Sequence, residues 1–96
     1  MEYSDNEILK AIKNQQDDKV LNNLYDSVLP KVKRYICSNS GNEEEAYDIF
    51  QDAVLIFYKQ VALNKFNNAF KIENFLFSIS KNLWINYILS LIHISE

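Results

Sequence analysis

The segment Glu43–Val61, EEEAYDIFQDAVLIFYKQV, decides the fold class of this 96-residue chain. Its apolar residues recur at alternating intervals of three and four, a spacing that places side chains on one face of an α-helix. The stripe comprises Ala46, Ile49, Phe50, Ala53, Val54, Phe57 and Val61. Asn42 precedes the segment as an N-cap, and three glutamates follow it at the positive end of the helix dipole. The segment predicts a long amphipathic helix with one buried face.

Two further helical segments lie before this one. Ser4 or Asp5 is expected to cap a first helix, which has the apolar residues Ile8, Leu9 and Ile12. A second helix is expected to begin at Asp17 or Asp18 and to kink near Val28–Leu29, because Pro30 falls within its pattern. Its expected core positions are Leu21, Leu24, Tyr25, Val28, Val32 and Ile36. The stretch from Ser38 to Asn42 holds the single glycine and predicts a loop.

A fourth helix is expected from Ile72 to about Tyr87, after an Asn-rich loop at Leu63–Lys71. Its expected core residues are Ile72, Phe75, Leu76, Ile79, Leu83 and Tyr87. A chain with one glycine and one proline also lacks the turn residues that an all-β domain needs at its hairpins. The predicted fold is all-α, a compact bundle of about four helices.

Several function classes are disfavoured by what the sequence lacks. It has no glycine-rich phosphate loop, and no histidine near a plausible nucleophile, so catalysis is not expected. With one cysteine (Cys37) and one histidine (His93), we expect no disulfide framework, metal site or cofactor. The first ten residues carry three acids and no apolar run, and the longest uncharged run is shorter than a membrane span. We therefore expect a cytoplasmic protein without a membrane segment.

The formal net charge of −3 is unevenly distributed along the chain. Residues 41–60 contain five acids and one lysine, a local charge of −4. Within them, Asp48, Gln51, Asp52 and Leu55 are spaced as one ridge of the third helix, outside its apolar stripe. This acidic ridge is either an ordinary solvated face or a docking surface for a basic partner, where the leucine supplies burial and the acids supply steering.

Aromatic and cationic residues mix near the start of the fourth helix. Phe66 and Phe70 lie in the preceding loop, while Phe77 and Trp84 fall on the helix outside its expected core stripe. Lys65, Lys71 and Lys81 are interleaved with them. These aromatics are either part of the core or a surface for single-stranded nucleic acid, since rings stack on unpaired bases and cations bind phosphates.

Three stretches of this chain, in order, resemble the second conserved region of sigma-70 family factors, and the extracytoplasmic-function type most closely. One of them is Asp48-Ile49-Phe50-Gln51-Asp52-Ala53, which follows a Glu-rich helix start. Leu24-Tyr25 followed by Leu29-Pro30-Lys31-Val32 and Arg34-Tyr35-Ile36 is similar to the family's first conserved helix. Asn74–Leu83 is similar to its last helix, with Phe75 where tryptophan is common.

The resemblance implies two binding surfaces. The helix with the Asp-x-x-Gln-acid pattern would dock on the coiled-coil clamp of the largest subunit of core RNA polymerase, through Asp48, Gln51, Asp52 and Leu55. The last helix and the loop before it would capture a flipped base of the non-template strand at the promoter −10 element. The DNA-binding residues expected there are Phe66, Lys71, Lys81, Asn82, Trp84 and Asn86. An anti-sigma factor is a further partner that the resemblance implies.

The sequence also departs from this family. Such factors continue into a second helical domain that reads the −35 element, for which 96 residues leave no room. We therefore expect a truncated factor with region 2 only, a domain over residues 1–88, and a tail over residues 89–96 that is non-native or disordered. The alternative is a small helical interaction module that binds a basic protein through the acidic ridge and has no nucleic-acid role.

Overall fold

The computed structural model describes residues 3–16, 18–67 and 69–94. Residues 93 and 94 are described by their backbone alone. The described residues contain four helices in succession: α1 (Asp5–Lys13), α2 (Asp18–Cys37), α3 (Glu43–Ala62) and α4 (Ile72–Ile94). Within the described ranges there is no β-strand. The prediction of an all-α bundle of about four helices is confirmed.

Two of the helices begin with a capping box, as the sequence indicates. The Ser4 hydroxyl accepts the backbone N–H of Glu7, and the Glu7 carboxylate accepts the backbone N–H of Ser4. These hydrogen bonds lower the pKa of Glu7, because they favour its charged form. Asn42 and Glu45 make the same reciprocal pair at the start of α3. In each capping box, side-chain oxygens accept hydrogen bonds from two backbone N–H groups at the start of the helix. These hydrogen bonds fix where the helix begins.

The core lies between α2, α3 and α4, and α1 packs against α3. Six of the seven stripe residues of α3 are buried, and Ile49 is half-buried, which confirms the expected buried face. In α2, Leu24, Val28, Val32 and Ile36 are buried as expected. Val20 and Leu29 join them, while Leu21 and Tyr25 are only half-buried. The helix includes Pro30 without a break.

The buried face of α4 differs from the expected one. Ile72 and Leu76 are buried as expected, but the face continues through Ser80 and Trp84, and Tyr87 is 38% exposed. Ser80 is tolerated inside because its hydroxyl donates to the Leu76 carbonyl, at 2.8 Å. Apolar residues surround α4 on nearly every side, so their spacing alone did not single out the buried face.

The end of α4 also differs from the expected end near Tyr87. The helix continues to Ile94 because the sequence offers no glycine or proline to end it. Residues Ile72–Ile92 are long and apolar enough to cross a membrane, a test that the core helix of a soluble protein also passes. The domain boundary at residue 88 stays a prediction, and residues 95 and 96 of the expected tail lie outside the described residues.

Candidate functional site

The acidic ridge of α3 lies on the surface of the protein. Asp48, Gln51, Asp52 and Leu55 are all exposed, with 60% of Leu55 accessible to solvent. They are held there because Phe50 and Phe57 anchor the opposite face of α3 in the core. An exposed leucine next to two carboxylates combines apolar area with negative charge, which suits a basic partner that buries the leucine.

A groove between α2 and α3 borders the acidic ridge. It has a volume of about 580 Å³, and its lining includes Tyr25, Asp26, Tyr47 and Gln51. The Tyr25 ring lies 5.8 Å from that of Tyr47 and packs edge-to-face on Phe50 at 4.9 Å, measured between centroids. Burial, and to a lesser extent Tyr47, raises the pKa of Tyr25, so this phenol is neutral at pH 7. The groove extends the exposed surface of the ridge onto α2.

A second concave surface lies on α4 and the loop before it. This cleft of about 300 Å³ is lined by Phe70, Asn74, Phe75, Ser78, Ile79 and Asn82. We call it the α4 cleft. Asn74, Ser78 and Asn82 are four residues apart and all exposed, so they form a polar row along one face of the helix. Phe70, 58% exposed, faces this row from the loop.

The loop that carries Phe70 is fixed from both sides. Phe66 packs edge-to-face on Phe57 at 5.3 Å and on Phe75 at 5.1 Å, measured between ring centroids. At the other end, the Asp5 carboxylate accepts the backbone N–H of Ile72, at 3.1 Å. This carboxylate caps α4 from the first helix of the chain, where a negative charge also meets the positive end of the helix dipole.

The chain matches a family model described as sigma-70 region 2 over residues 24–91. The match covers most of α2, all of α3 and nearly all of α4, and includes both the acidic ridge and the α4 cleft. The chain belongs to the sigma-70 region 2 family. No curated protein and no solved structure gave a significant match. Region 2 of sigma factors binds core RNA polymerase and takes part in recognition of the promoter −10 element, and the family is not one of enzymes.

The structure separates the six DNA-binding residues expected for region 2 into four groups, of which the buried Trp84 is the last. Lys71, Asn82 and Asn86 are exposed, and Asn82 lines the α4 cleft. Lys81 lies on the side of α4 that faces α2, with its ammonium 5.4 Å from the centroid of the Tyr35 ring. Phe66 is half-buried and supports the loop through its contacts with Phe57 and Phe75.

Trp84 does not lie on an exposed face, contrary to the sequence-based expectation. It is 3% exposed, its Nε1–H donates to the Asn39 carbonyl at 3.0 Å, and its ring stacks on Tyr87 at 5.5 Å between centroids. Its hydrogen bond and its packing both hold the α2–α3 loop. In this conformation its ring has no free face for a base.

Five of the six residues that line the α4 cleft are not among the DNA-binding residues expected from the sequence. Two of the five, Phe75 and Ile79, are expected there as core residues, and the others are Phe70, Asn74 and Ser78. Asn74 and Ser78 precede Asn82 by eight and four residues, so i, i+4 spacing from Asn82 would have found them. The resemblance implies a DNA-binding role for the loop that contains Phe70, but the sequence pattern does not distinguish its ring from that of Phe66. The choice between the two rings depends on how the loop packs on α3.

Proposed function

We propose that this chain is region 2 of an alternative sigma factor of the extracytoplasmic-function type. It acts in the cytoplasm, where the acidic ridge binds the clamp coiled coil of the largest polymerase subunit and the α4 cleft binds the non-template strand of the −10 element. The observation that carries this proposal is that one family match covers both surfaces. An anti-sigma factor that covers the ridge would prevent polymerase binding.

The acidic ridge supplies the polymerase contact in this proposal. Two carboxylates attract a basic coiled coil over a distance, and Leu55 is buried when the surfaces meet. The groove beside Tyr25 and Tyr47 gives aromatic side chains next to the charges, which is a composition common in protein interfaces. The catalytic chemistry of transcription remains that of the polymerase.

The α4 cleft supplies the base contact. A flipped base loses its stacking at a cost of a few kcal/mol, which a protein pocket has to offset. The Phe70 ring offers a stacking surface, and the side-chain amides of Asn74 and Asn82 offer both donors and acceptors to a base edge. Lys71, exposed next to the cleft, supplies a cation for the adjoining phosphate.

Charge reversal tests the polymerase contact. Asp48→Lys and Asp52→Lys are each expected to weaken binding to a purified clamp coiled coil by about 1–3 kcal/mol, because attraction becomes repulsion. Asp18→Lys, an exposed carboxylate on α2, is the matched control and is expected to leave the affinity unchanged. The measurement is calorimetry or fluorescence anisotropy. Unchanged affinity in both ridge variants would show that the ridge is not the docking surface.

Truncation of the cleft tests base capture. Asn82→Ala and Phe70→Ala are each expected to weaken binding of a random pool of single-stranded DNA to the polymerase-bound chain, by about 1–3 kcal/mol. Asn6→Ala, an exposed asparagine of α1, is the control. Anisotropy of labelled DNA reports the affinity. If the chain binds polymerase but neither cleft variant changes the affinity for DNA, the result would favour the alternative of a protein interaction module.

A further inference from the structure

The groove between α2 and α3 meets the acidic ridge at Gln51, which belongs to both surfaces. Three pairs of residues line it, and the members of each pair are four apart in sequence, so each pair forms a row along its helix. We call this surface the α2–α3 groove. Its volume of about 580 Å³ gives it room for one long side chain. Its lining residues are Leu21, Asn22, Tyr25, Asp26, Tyr47 and Gln51.

The floor of the α2–α3 groove is held by the core. Leu21 and Tyr25 are half-buried, and the Tyr25 ring packs on the buried Phe50 ring at an interplanar angle of 87°. The Tyr47 ring lies beside that of Tyr25 and is tilted by 50° from it. Because Tyr47 is 43% exposed, part of its ring is accessible to a partner. The aromatic surface is therefore formed before binding, which limits the side-chain ordering that binding requires.

The rim of the groove carries hydrogen-bond acceptors from both helices. Asn22 and Asp26 are exposed on α2, and Gln51 is exposed on α3. The Asp26 carboxylate makes no ion pair or side-chain hydrogen bond with any residue that the structure describes. None of the six lining residues is basic. A cation that enters the groove therefore meets a carboxylate without a partner, two amide oxygens and no like charge.

An aromatic ring and a carboxylate in one groove favour arginine over lysine. A guanidinium is planar, so it can stack on a ring and donate paired N–H bonds to a carboxylate at the same time. An ammonium is a compact and strongly hydrated charge, which gains less from an open aromatic surface. In the α2–α3 groove, Tyr47 supplies the ring from α3 and Asp26 supplies the carboxylate from α2.

We propose that the α2–α3 groove receives an arginine side chain of the basic partner, with the guanidinium between the Tyr47 ring and the Asp26 carboxylate. This inference rests on the proposed function, because the same partner covers the acidic ridge. The ridge attracts basic surfaces by charge, whereas the groove discriminates among them by whether an arginine stands at one position. Tyr47 and Asp26 are thus specificity-determining residues beside the ridge.

Two matched pairs of probes test this assignment. The first pair consists of short peptides of equal length in which alanine alternates with either arginine or lysine. The second pair consists of the purified clamp coiled coil and a form of it in which every arginine is replaced by lysine. The unchanged chain is expected to bind the arginine form of each pair about two- to fivefold more tightly, which is the size of a cation–π contact at an exposed site. Anisotropy of the labelled probe measures each affinity.

Variants of the groove show whether this preference arises there. Tyr47→Leu and Asp26→Asn are each expected to bring the ratio of the two affinities close to one, whereas Tyr47→Phe keeps the ring and preserves the ratio. Asp18→Asn is the matched control, because it removes an exposed carboxylate about 12 Å away along α2 and is expected to preserve the ratio. Circular dichroism confirms that each variant is folded.

Two results would overturn the inference. One is that the unchanged chain shows no preference for the arginine forms. The other is that the preference survives Tyr47→Leu or Asp26→Asn, which would mean that it arises outside the groove.

The peptides separate this inference from the proposed polymerase contact. If the clamp coiled coil does not bind but Tyr47→Leu removes a preference for the arginine peptide, the polymerase contact fails and the groove remains an arginine site for another basic protein. If Asp48→Lys and Asp52→Lys weaken binding of the coiled coil while Tyr47→Leu leaves the ratio unchanged, the ridge is supported and the arginine site is overturned.

Discussion

At the scale of single residues, the one glycine of the chain is required for space rather than for its backbone conformation. Its φ is not positive, whereas that of the preceding Ser40 is 76°. A Cβ at Gly41 would lie 2.4 Å from Ile36 Cγ2 and 2.8 Å from the Trp84 ring. The indole, which also donates to Asn39, therefore occupies the volume that any other residue at position 41 would need.

Gly41→Ala is expected to destabilise the protein by about 1–3 kcal/mol, because Trp84 or Ile36 has to move out of its packed position. Urea unfolding followed by circular dichroism measures the change. Ser38→Ala, an exposed position in the same loop, is the control and is expected to lie within about 0.5 kcal/mol of the unchanged protein. A Gly41→Ala protein of unchanged stability would mean that the indole does not fill this space.

At the scale of the helices, three of them end in the same way without glycine. Gln15, Ser40 and Asn64 have positive φ values of 57°, 76° and 55° just after α1, α2 and α3. In each case the next residue donates its N–H to a carbonyl five residues back, at 2.8–2.9 Å. This is the Schellman motif, in which the left-handed position is usually glycine. Each of these side chains adds backbone strain.

Gln15→Gly is therefore expected to stabilise the protein by about 0.5–1 kcal/mol, since relief of the left-handed strain exceeds the entropy that glycine adds to the unfolded chain. Asn14→Gly is the control, because Asn14 has a negative φ of −93° and gains no such relief. It is expected to destabilise. Urea unfolding compares the two, and a destabilised Gln15→Gly variant would contradict the argument.

The helices also show how far the sequence can predict this structure. In α3 the apolar residues occupy one stripe, so both its buried face and the exposed acidic ridge follow from spacing alone. In α4 apolar residues lie on nearly every side, so the spacing favoured Leu83 and Tyr87 over Ser80 and Trp84. That face depends on what α2 and its loop offer as partners, which is a tertiary property.

The two surfaces of the candidate site also differ in how far the sequence predicts them. Asp48 and Asp52 could be placed on the surface from the periodicity of one helix. The α4 cleft needs a loop aromatic and a helix face to meet, and whether Phe66 or Phe70 lies outside depends on the packing of Phe66 against Phe57 and Phe75. Local patterns contain no information on that contact.

At the scale of the whole molecule, the hydrogen bond from Ile72 to Asp5 joins the first helix to the last. Asp5 lies outside the family match, which begins at residue 24. Its carboxylate nevertheless caps the helix that carries the α4 cleft. The N-terminal helix is thus a structural support for the surface proposed to bind DNA, beyond the part of the chain that the match covers.

Asp5→Ala is expected to destabilise the protein by about 1 kcal/mol, because the first turn of α4 loses a partner for a backbone N–H. Hydrogen exchange should speed up at the amides of residues 72–75 more than in α2. Asn6→Ala, on the exposed side of α1, is the control. Equal exchange at the start of α4 in both variants would show that Asp5 does not hold this end.

The Asp5–Ile72 bond has a kinetic consequence. It joins groups 67 residues apart, and the entropy of closing a loop rises with its length, so local helix formation precedes this contact. The contact between Asp5 and the start of α4 is therefore expected to form late in folding. A contact that forms only after the rate-limiting step acts mainly on the rate of unfolding, so loss of this bond is expected to speed unfolding and to leave the rate of folding nearly unchanged.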